Sequence, residues 1–572
     1  MKNLRPIILA AVVIAAGLLA SGLWTRPGAA SSDAEGFSAA RAVEDIKVMS
    51  KEHHSVAHPE ERARVREYLT GRLEQLGADT VSLYRYDSLT GPQNKHVKYT
   101  FDAINILAEF SPLKASEDTT YLLFVAHYDS RYSQPMPKDT VWSYGAADDG
   151  YGLSVTLETV SQLLKSRAQW NQGVKVLFTD AEEVGMEGMK AIWANNREVF
   201  DNVGLMINIE ARGPWGPALL FETCPGNSKV MDLYAKAADY PFTYSLTTVV
   251  YSFMPNFTDF TIVKDSIPGL NFSTIADINH YHTDLDNFEN ISAKSIQHYG
   301  AQVLPVSLEY LTDPVYSDKD YLKADEDTVN FTVPVLGLFN FSKGMYKVVN
   351  VAVYVIFLIL LAFAGIRGRI KAAKVFRCSA VVLGTAVGVL ALGEAFAWVC
   401  AAISGAKFKL FGIIVGVTFD NVAMAAFVAV MAVVSVLVYL SGRNKAMMAV
   451  SGSMRANAPV NAAIRHADNT LYGSLVLMLV LSAALLFAIG ENLMFFIPLA
   501  FATAGVMLYR ITSLKLWLVL SAGLVLLHAF SFLHALAMAL TIGAFGAVAM
   551  LAFMDIMVLI PLADLYLTTT KK

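Results

Sequence analysis

The chain has few cysteines and few charges for its length. Of its 572 residues only three are cysteines (Cys224, Cys378 and Cys400), too few for a disulfide framework. None of them lies in a Cys-x-x-Cys spacing, so the sequence offers no cysteine-based zinc knuckle. Charged residues make up 16% of the chain and form no long basic tract, so we expect no nucleic-acid partner.

Apolar residues are abundant but unevenly distributed. They make up 55% of the sequence, and the mean hydropathy is +0.44. Residues 33–330 mix apolar and charged residues, whereas residues 345–567 are mostly long apolar runs with short basic breaks. We therefore predict a soluble domain over 33–330, a linker over 331–344, and an all-α domain of seven or eight helices over 345–567 in the lipid bilayer.

The N-terminal segment 1–32 also contains a long apolar run. Lys2 and Arg5 precede that run, which fits either a retained membrane anchor or a cleaved signal peptide. The run is long for a signal peptide, so we favour the anchor. Both alternatives place the following residues outside the cytoplasm.

Basic residues give the same orientation. Five of the eleven residues in 367–377 are Arg or Lys, directly after the first long run, and such loops stay in the cytoplasm. The soluble domain would then be periplasmic in a bacterium or lumenal in a eukaryote. The last run, 535–567, is too long for one span, and Asp555 and Pro561 are candidate break points.

In the soluble domain, strand-like apolar runs alternate with helix-like amphipathic stretches. "TYLLFVAHYDS", "VKVLFTDAEE" and "VGLMINIEARG" each run from an apolar stretch into acids or histidine. The alternation predicts an α/β fold with a mainly parallel mixed sheet flanked by helices. In such sheets ligands bind beyond the carboxyl ends of the strands, where these polar residues collect.

Five stretches carry the candidate chemistry. Each has an ordinary explanation by itself, such as a helix N-cap for an Asp pair before glycine. Several carboxylates at one sheet edge would repel one another unless a cation intervened, and a mixed set of imidazoles and carboxylates suits a pair of zinc ions. The stretches are "AHYDS" (His127, Asp129), "GAADDGYG" (Asp148, Asp149), "FTDAEEVGMEG" (Asp180, Glu182, Glu183), "MINIEARG" (Glu210) and "NHYHTDLDNFENI" (His280, Tyr281, His282, Asp284, Asp286).

Local spacing suggests roles for three of these residues. Asp129 lies two positions after His127, so on an extended segment its side chain points the same way and could accept a hydrogen bond from the ring. Glu182 and Glu183 are adjacent, so one carboxylate can bind metal while the other serves as a general base toward water.

As a set, these motifs resemble the M28 family of zinc metallopeptidases. The order HxD, GAxDDxxG, EExGxxG, an acid and YHTxxD is present over about residues 40–313, although the family's "GLEGS" is "GMEGM" here. The arrangement of anchor, soluble domain and many membrane spans is similar to that of endoplasmic reticulum metallopeptidases and vacuolar membrane proteases. The resemblance implies a zinc-exopeptidase-like fold.

The resemblance also implies a role for each matching residue. His127, Asp148 and Glu210 would hold one zinc, and Asp148 would bridge to a second zinc held by Glu183 and His282. Glu182 would be the general base, and Tyr281 would donate to the developing oxyanion. His280 is the alternative to His282, and Glu210 replaces an Asp that is common in relatives.

The function implied is an aminopeptidase acting on a peptide or protein substrate. A glutaminyl cyclase remains an alternative because "HYDSRY" resembles that enzyme's motif, whereas Asp149 favours the peptidase. A non-catalytic membrane scaffold or transporter is the third possibility. On a candidate specificity loop with Phe253, Met254 and Phe257, Asp259 could bind a substrate amine. The sequence leaves the oligomeric state open.

Overall fold

The structure of the chain is a computed structural model, and it divides into two compact units. It describes residues 4–20, 26–90, 100–131, 134–135, 140–252, 256–451 and 457–568. The α/β unit consists of Thr25–Thr332 and Leu336–Lys343, and the helical unit consists of Met1–Trp24, Val333–Val335 and Gly344–Lys572.

The strands are short and most belong to one sheet in the α/β unit. In chain order they are β1 (Thr80–Thr90), β2 (Thr100–Phe110), β3 (Tyr121–His127), β4 (Gln134–Pro135), β5 (Thr140–Val141), β6 (Gly173–Thr179), β7 (Val203–Ala211), β8 (Trp215–Thr223), β9 (Gly269–Ala276), β10 (Thr328–Val333) and β11 (Gly337–Ser342).

In chain order the helices are α1 (Leu4–Leu18), α2 (Ala39–Met49), α3 (Pro59–Gln75), α4 (Gly150–Leu163), α5 (Glu187–Asn195), α6 (Ser228–Ala237), α7 (Ser245–Ser252), α8 (Asp259–Val263), α9 (Ala293–Thr312), α10 (Lys343–Ile366), α11 (Ala372–Ser404), α12 (Asp420–Met448), α13 (Ala458–Ile489), α14 (Leu493–Thr512), α15 (Leu516–Leu540) and α16 (Phe545–Leu567). Helices α2 to α9 belong to the α/β unit, and α1 and α10 to α16 belong to the helical unit.

A seven-stranded mixed sheet forms the core of the α/β unit. Its strand order is β1-β2-β6-β3-β7-β9-β8, and β6, β3, β7 and β9 run parallel. These four strands are buried along their whole length, as their nearly continuous apolar sequences predict for a sheet covered on both faces. Helix α4 packs on β3 and β7, while α3 and α5 pack on β1 and β2. The predicted α/β fold is confirmed.

The helical unit contains long apolar helices. Within the part of the chain that the structure describes, seven helices from α10 to α16 are long and apolar enough to cross a membrane. The suggested break at Asp555 or Pro561 is wrong, because both residues lie inside the continuous helix α16. The chain instead turns between α15 and α16 at Thr541, which has a positive φ of 57°.

Candidate metal centre

Three parallel strands bring acids and a histidine to one edge of the sheet. His127 is the last residue of β3, and Glu210 is the penultimate residue of β7. The Glu182–Glu183 pair follows the end of β6 after a turn in which Ala181 has a φ of 60°. The carboxyl ends of parallel strands lie side by side, so this edge has the position in which open α/β sheets bind ligands.

Asp148 reaches the same place from the start of α4. The neighbouring Asp149 is the N-cap of that helix, and its side chain accepts a hydrogen bond from the backbone N–H of Gly152 at 2.9 Å. Asp149 also lies 3.3 Å from the backbone nitrogen of His127. Asp149 therefore anchors the helix and the end of β3, while Asp148 points at the imidazoles.

Two clusters form around Asp148. In the first, His127 Nε2 lies 3.2 Å from Asp148 Oδ1 and 3.7 Å from Glu210 Oε2. In the second, His282 Nε2 lies 3.3 Å from Asp148 Oδ2 and 3.1 Å from Glu183 Oε2. Within each cluster the ligand atoms lie within 4.8 Å of one another. Each oxygen of Asp148 thus faces a different imidazole, as a bridging carboxylate would. His282, and not His280, occupies this cluster.

The donor atoms fit metal ions better than they fit one another. Among the described residues, His282 Nε2 and Glu183 Oε1 are buried and have no hydrogen-bond partner. His127 Nδ1 donates to the backbone carbonyl of Asp129 at 2.9 Å, which leaves Nε2 with a free lone pair in that tautomer. Imidazole and carboxylate donors in such a mixed set are typical zinc ligands.

Two glutamates at the site have raised pKa values, whereas His127 and His282 lower the pKa of Asp148 between them. Burial, together with the charges of Asp148 and Asp259, raises the pKa of Glu210 to about 8. Burial also raises the pKa of Glu182, with contributions from Glu210 and Asp259. Crowded carboxylates with raised pKa values are the arrangement that a divalent cation relieves, because it stabilises their charged forms.

Asp129 acts differently from the prediction. Its backbone carbonyl, not its carboxylate, accepts the hydrogen bond from His127 Nδ1; the carboxylate oxygen Oδ1 lies 3.6 Å from that nitrogen. The carboxylate instead accepts from the backbone N–H groups of Glu182 and Glu183 at 2.9 and 3.2 Å. One residue therefore orients the ring and also fixes the backbone of the glutamate pair.

Asp286 has a positioning role that the sequence analysis did not assign. Its carboxylate accepts hydrogen bonds from Ser143 Oγ at 2.9 Å, from the N–H of Ala147 at 2.7 Å and from the N–H of Asp148 at 3.3 Å. These contacts shape the loop that delivers Asp148. The last acid of "YHTDLD" was the available signal, because it lies four residues after His282.

Tyr281 lies beside the second cluster. The Tyr281 ring stacks on the His282 ring with centroids 3.6 Å apart. Burial raises the pKa of Tyr281, and the carboxylates of Asp148 and Glu183 raise it further, so the phenol keeps its proton. A protonated phenol at this position can donate a hydrogen bond.

Asp259 is buried at the start of α8, close to the glutamates. One of its oxygens accepts a hydrogen bond from Thr179 Oγ1, while Oδ1 has no partner among the described residues. Burial raises the pKa of Asp259 to about 6. Phe253 and Met254 of the candidate specificity loop lie outside the described residues, and Phe257 is exposed.

Comparison with known proteins agrees with the motifs. Residues 105–307 match peptidase family M28. Human endoplasmic reticulum metallopeptidase 1 is 30% identical over 217 residues, which cover 36% of this chain and 22% of that protein. The vacuolar membrane protease of Schizosaccharomyces pombe is 25% identical over 337 residues, which cover 56% of this chain and 36% of that protein. The matches thus span well under half of either relative.

Solved structures similar to the α/β unit include two kinds of enzyme. A glutaminyl cyclase from Porphyromonas gingivalis matches with a TM-score of 0.37 and 19% identity, covering 48% of this chain and 98% of its own. A Zn-dependent exopeptidase from Parabacteroides distasonis matches with a TM-score of 0.36 and 18% identity, over 48% and 98%. Neither similarity distinguishes a peptidase from a cyclase.

The predicted resemblance to M28 enzymes, and to the two membrane-bound groups among them, is confirmed. The family match covers the strand ends that carry His127, Glu183 and Glu210, and it reaches past His282. The seven apolar helices lie C-terminal to that match. The chain is therefore an integral membrane protein in which residues 105–307 match peptidase family M28.

Proposed function

We propose that this chain is a membrane metallopeptidase with two zinc ions, and that it removes N-terminal residues from peptides outside the cytoplasm. The observation that carries the proposal is the placement of Asp148, whose two carboxylate oxygens face two imidazoles at 3.2 and 3.3 Å. A second carboxylate completes each cluster. His127, Asp148 and Glu210 would hold one zinc, and Asp148, Glu183 and His282 the other.

Zinc in this position supplies Lewis acidity toward a carbonyl oxygen and makes water more acidic. Glu182 accepts the proton of the attacking water and later delivers it to the leaving amine. A carboxylate can serve in both steps, because it accepts a proton as a general base and returns it as a general acid. Hydrogen bonds from the backbone N–H groups of Glu182 and Glu183 to Asp129 hold the backbone of the glutamate pair in place.

Tyr281 donates a hydrogen bond to the oxygen that gains charge during the attack. Stacking on His282 holds its ring, and its raised pKa keeps the hydroxyl protonated. Asp259 binds the free amine of the substrate through Oδ1, while Thr179 occupies the other oxygen. An amine anchor beside the scissile bond is what makes the enzyme an aminopeptidase.

The test is digestion of a peptide library by the detergent-purified full chain, with and without a chelator, together with a zinc determination. We expect stepwise loss of N-terminal residues, inhibition by chelator, and two zinc ions per chain. Glu182→Gln should reduce turnover by about 10²- to 10⁴-fold while zinc content stays unchanged. Glu60→Gln, an exposed glutamate on α3, is the matched control.

Product analysis separates the peptidase from the two alternatives. Release of pyroglutamate from N-terminal glutamine by a fully active one-zinc protein would contradict the peptidase and support a cyclase. A Glu182→Gln protein that retains its biological role would support a scaffold or transporter.

Orientation is tested by labelling intact cells with a membrane-impermeant maleimide. Glu60→Cys lies on the exposed surface of the α/β unit, and Lys374→Cys lies in an exposed basic segment of the helical unit. Only the first should react, with the parent chain as control for the native cysteines. Labelling of Lys374→Cys alone would place the catalytic unit in the cytoplasm.

A further inference from the structure

Arg212 follows the candidate ligand Glu210 by two residues at the end of β7. Asn208 and Glu210 lie two residues apart on β7, so their side chains leave from the same face, and Asn208 Nδ2 donates to Glu210 Oε1 at 3.0 Å. Arg212 follows in the bend directly after the strand. Arg212 therefore starts about 6–7 Å beyond Glu210, past the sheet edge where a substrate would lie.

The backbone around Arg212 is firmly held. Its N–H donates to the carbonyl of Thr274 at 2.9 Å and lies 3.0 Å from Ser273 Oγ. A side chain at Gly213 would place its Cβ 2.2 Å from the carbonyl oxygen of Ala276, so this turn needs glycine. Because the backbone is held, the position from which the Arg212 side chain extends is fixed.

The guanidinium itself has no partner. Among the described residues, none forms a hydrogen bond or an ion pair with the Arg212 side chain, although the residue is only partly exposed. By contrast, Arg131 at the same site donates to the carbonyl of Glu183 and lies 3.3 Å from its carboxylate. Partial burial of an unpaired charge is unfavourable unless a ligand compensates for it.

Arg212 interacts electrostatically with Tyr281, whose ring stacks on His282. Burial and the carboxylates of Asp148 and Glu183 raise the pKa of Tyr281, and the positive charge of Arg212 opposes that rise. For Tyr251, burial together with Glu222 and Glu210 raises the pKa, and Arg212 again opposes it. The pKa values of both tyrosines therefore respond to the charge of Arg212 and to the charges of the acidic residues at the site.

We propose that Arg212 is a specificity-determining residue that binds a carboxylate of the peptide substrate. The inference rests on the proposed function and narrows its substrate class to peptides with a carboxylate near the scissile bond. That carboxylate is either an acidic side chain or the C-terminal carboxylate of a dipeptide. In a site so rich in acids, a substrate carboxylate is repelled unless a fixed cation meets it, and an arginine can do so with two parallel hydrogen bonds.

The experiment compares matched substrates with the full chain in detergent. Aspartyl and asparaginyl p-nitroanilide differ in the side-chain carboxylate, and alanyl-alanine and alanyl-alaninamide differ in the terminal carboxylate. For the pair that Arg212 recognises, Arg212→Gln should lower kcat/KM of the charged member by about 10- to 100-fold, mainly through KM. The neutral member should change by less than about 2-fold, and Arg212→Lys should recover part of the loss.

Arg85→Gln is the matched control, because this exposed arginine on β1 pairs with Asp87 and Asp102. Equal losses on charged and neutral substrates would overturn the inference, since they would indicate a role in the reaction step or in folding. No loss on either charged substrate would also overturn it.

A binding measurement separates this inference from the proposed function. In the Glu182→Gln background, calorimetry with the same dipeptide and aspartyl compounds should show preference for the charged member of one pair, and Arg212→Gln should abolish it. Absence of that preference contradicts the role of Arg212. Preference without any turnover by the parent chain supports Arg212 and instead contradicts the peptidase proposal.

Discussion

In the helical unit several carboxylates each meet a donor of their own, whereas in the α/β unit a group of carboxylates shares one space. The pairs in the helical unit are Asp468 with Arg510, Asp564 with Arg443, and Glu394 with the backbone N–H of Gly546. Asp555 is an exception, since it is buried in α16 with no hydrogen-bond partner among the described residues.

The α/β unit shows the opposite arrangement. Asp148, Glu183 and Glu210 converge on two imidazoles within 4.8 Å, and no Lys or Arg faces both clusters among the described residues. Between apolar helices a charged group must find a protein partner. At the carboxyl ends of the strands, carboxylates that lack enough opposite charge nearby instead indicate a site that binds a cation.

The largest effect should come from removing the shared carboxylate. Asp148→Asn takes a ligand from both clusters, so we expect loss of most bound zinc and of detectable peptidase activity. Asp118→Asn, at an exposed position of the same unit, is the control, and its zinc should remain. Metal analysis and turnover measure both variants. Zinc retention by Asp148→Asn would contradict the bridging role.

In the helical unit, replacing one member of an ion pair should lower the stability of the fold without affecting catalysis. Asp468→Asn leaves the charge of Arg510 buried without an opposite charge, and breaking a buried ion pair typically costs about 3–5 kcal/mol. Asp555→Asn removes a carboxyl that has no partner, so stability should be unchanged or higher. Thermal unfolding in detergent compares the two, with zinc content as a check. If Asp468→Asn and Asp555→Asn lose the same stability, ion pairing does not explain a difference between these two residues.

Acid should weaken the α/β unit through His298, which belongs to neither metal cluster. Burial lowers the pKa of His298 to about 4, and its ring accepts from the N–H of Ala218 and pairs with the carbonyl of Tyr240. The unfolded chain binds the proton at a higher pH, near 6.5. Stability is therefore complete above about pH 6.5 and falls by about 3 kcal/mol as pH drops toward 4.

Pulse proteolysis of the full chain across this pH range measures that loss. In the His298→Gln variant the free energy of unfolding should depend less on pH, because the contribution of His298 is absent. This holds even if the variant is less stable at neutral pH. An unchanged slope would show that other groups dominate.

The smallest effect should come from the support of the Asp148 loop. Asp286→Asn disturbs three hydrogen bonds to residues 143–148 without removing a ligand. Loss of such a supporting group usually lowers metal affinity by about 10- to 100-fold. Asp284→Asn, an exposed residue of the same loop, is the control. Competition with a chromogenic chelator measures zinc affinity, and equal affinities would contradict a supporting role for Asp286.

The metal clusters were largely predictable because their residues follow strand ends. His127 and Glu210 come directly at the end of apolar runs, and parallel strands bring such ends together. The hydrogen-bond assignment of Asp129 could not be predicted, because the choice between its carbonyl and its carboxylate depends on loop geometry. The proposed role of Arg212 could not be predicted either, because it depends on the guanidinium having no hydrogen-bond or ion-pair partner among the described residues.

The helix boundary near residue 541 also could not be predicted from the sequence. Apolar composition continues across the turn at Thr541, so hydropathy placed a break at Asp555 or Pro561, which lie inside α16. A proline or an acid inside a long apolar helix is tolerated where neighbouring helices satisfy the backbone.

By itself the sequence determined the α/β class, the apolar helices and the types of residue at the site, because period, hydropathy and motif order are local properties. Only the tertiary structure decided which oxygen of Asp148 faces which imidazole, that Asp286 supports the loop, and that Arg212 stands unpaired. Those facts depend on distances between residues far apart in the chain, and packing alone sets such distances.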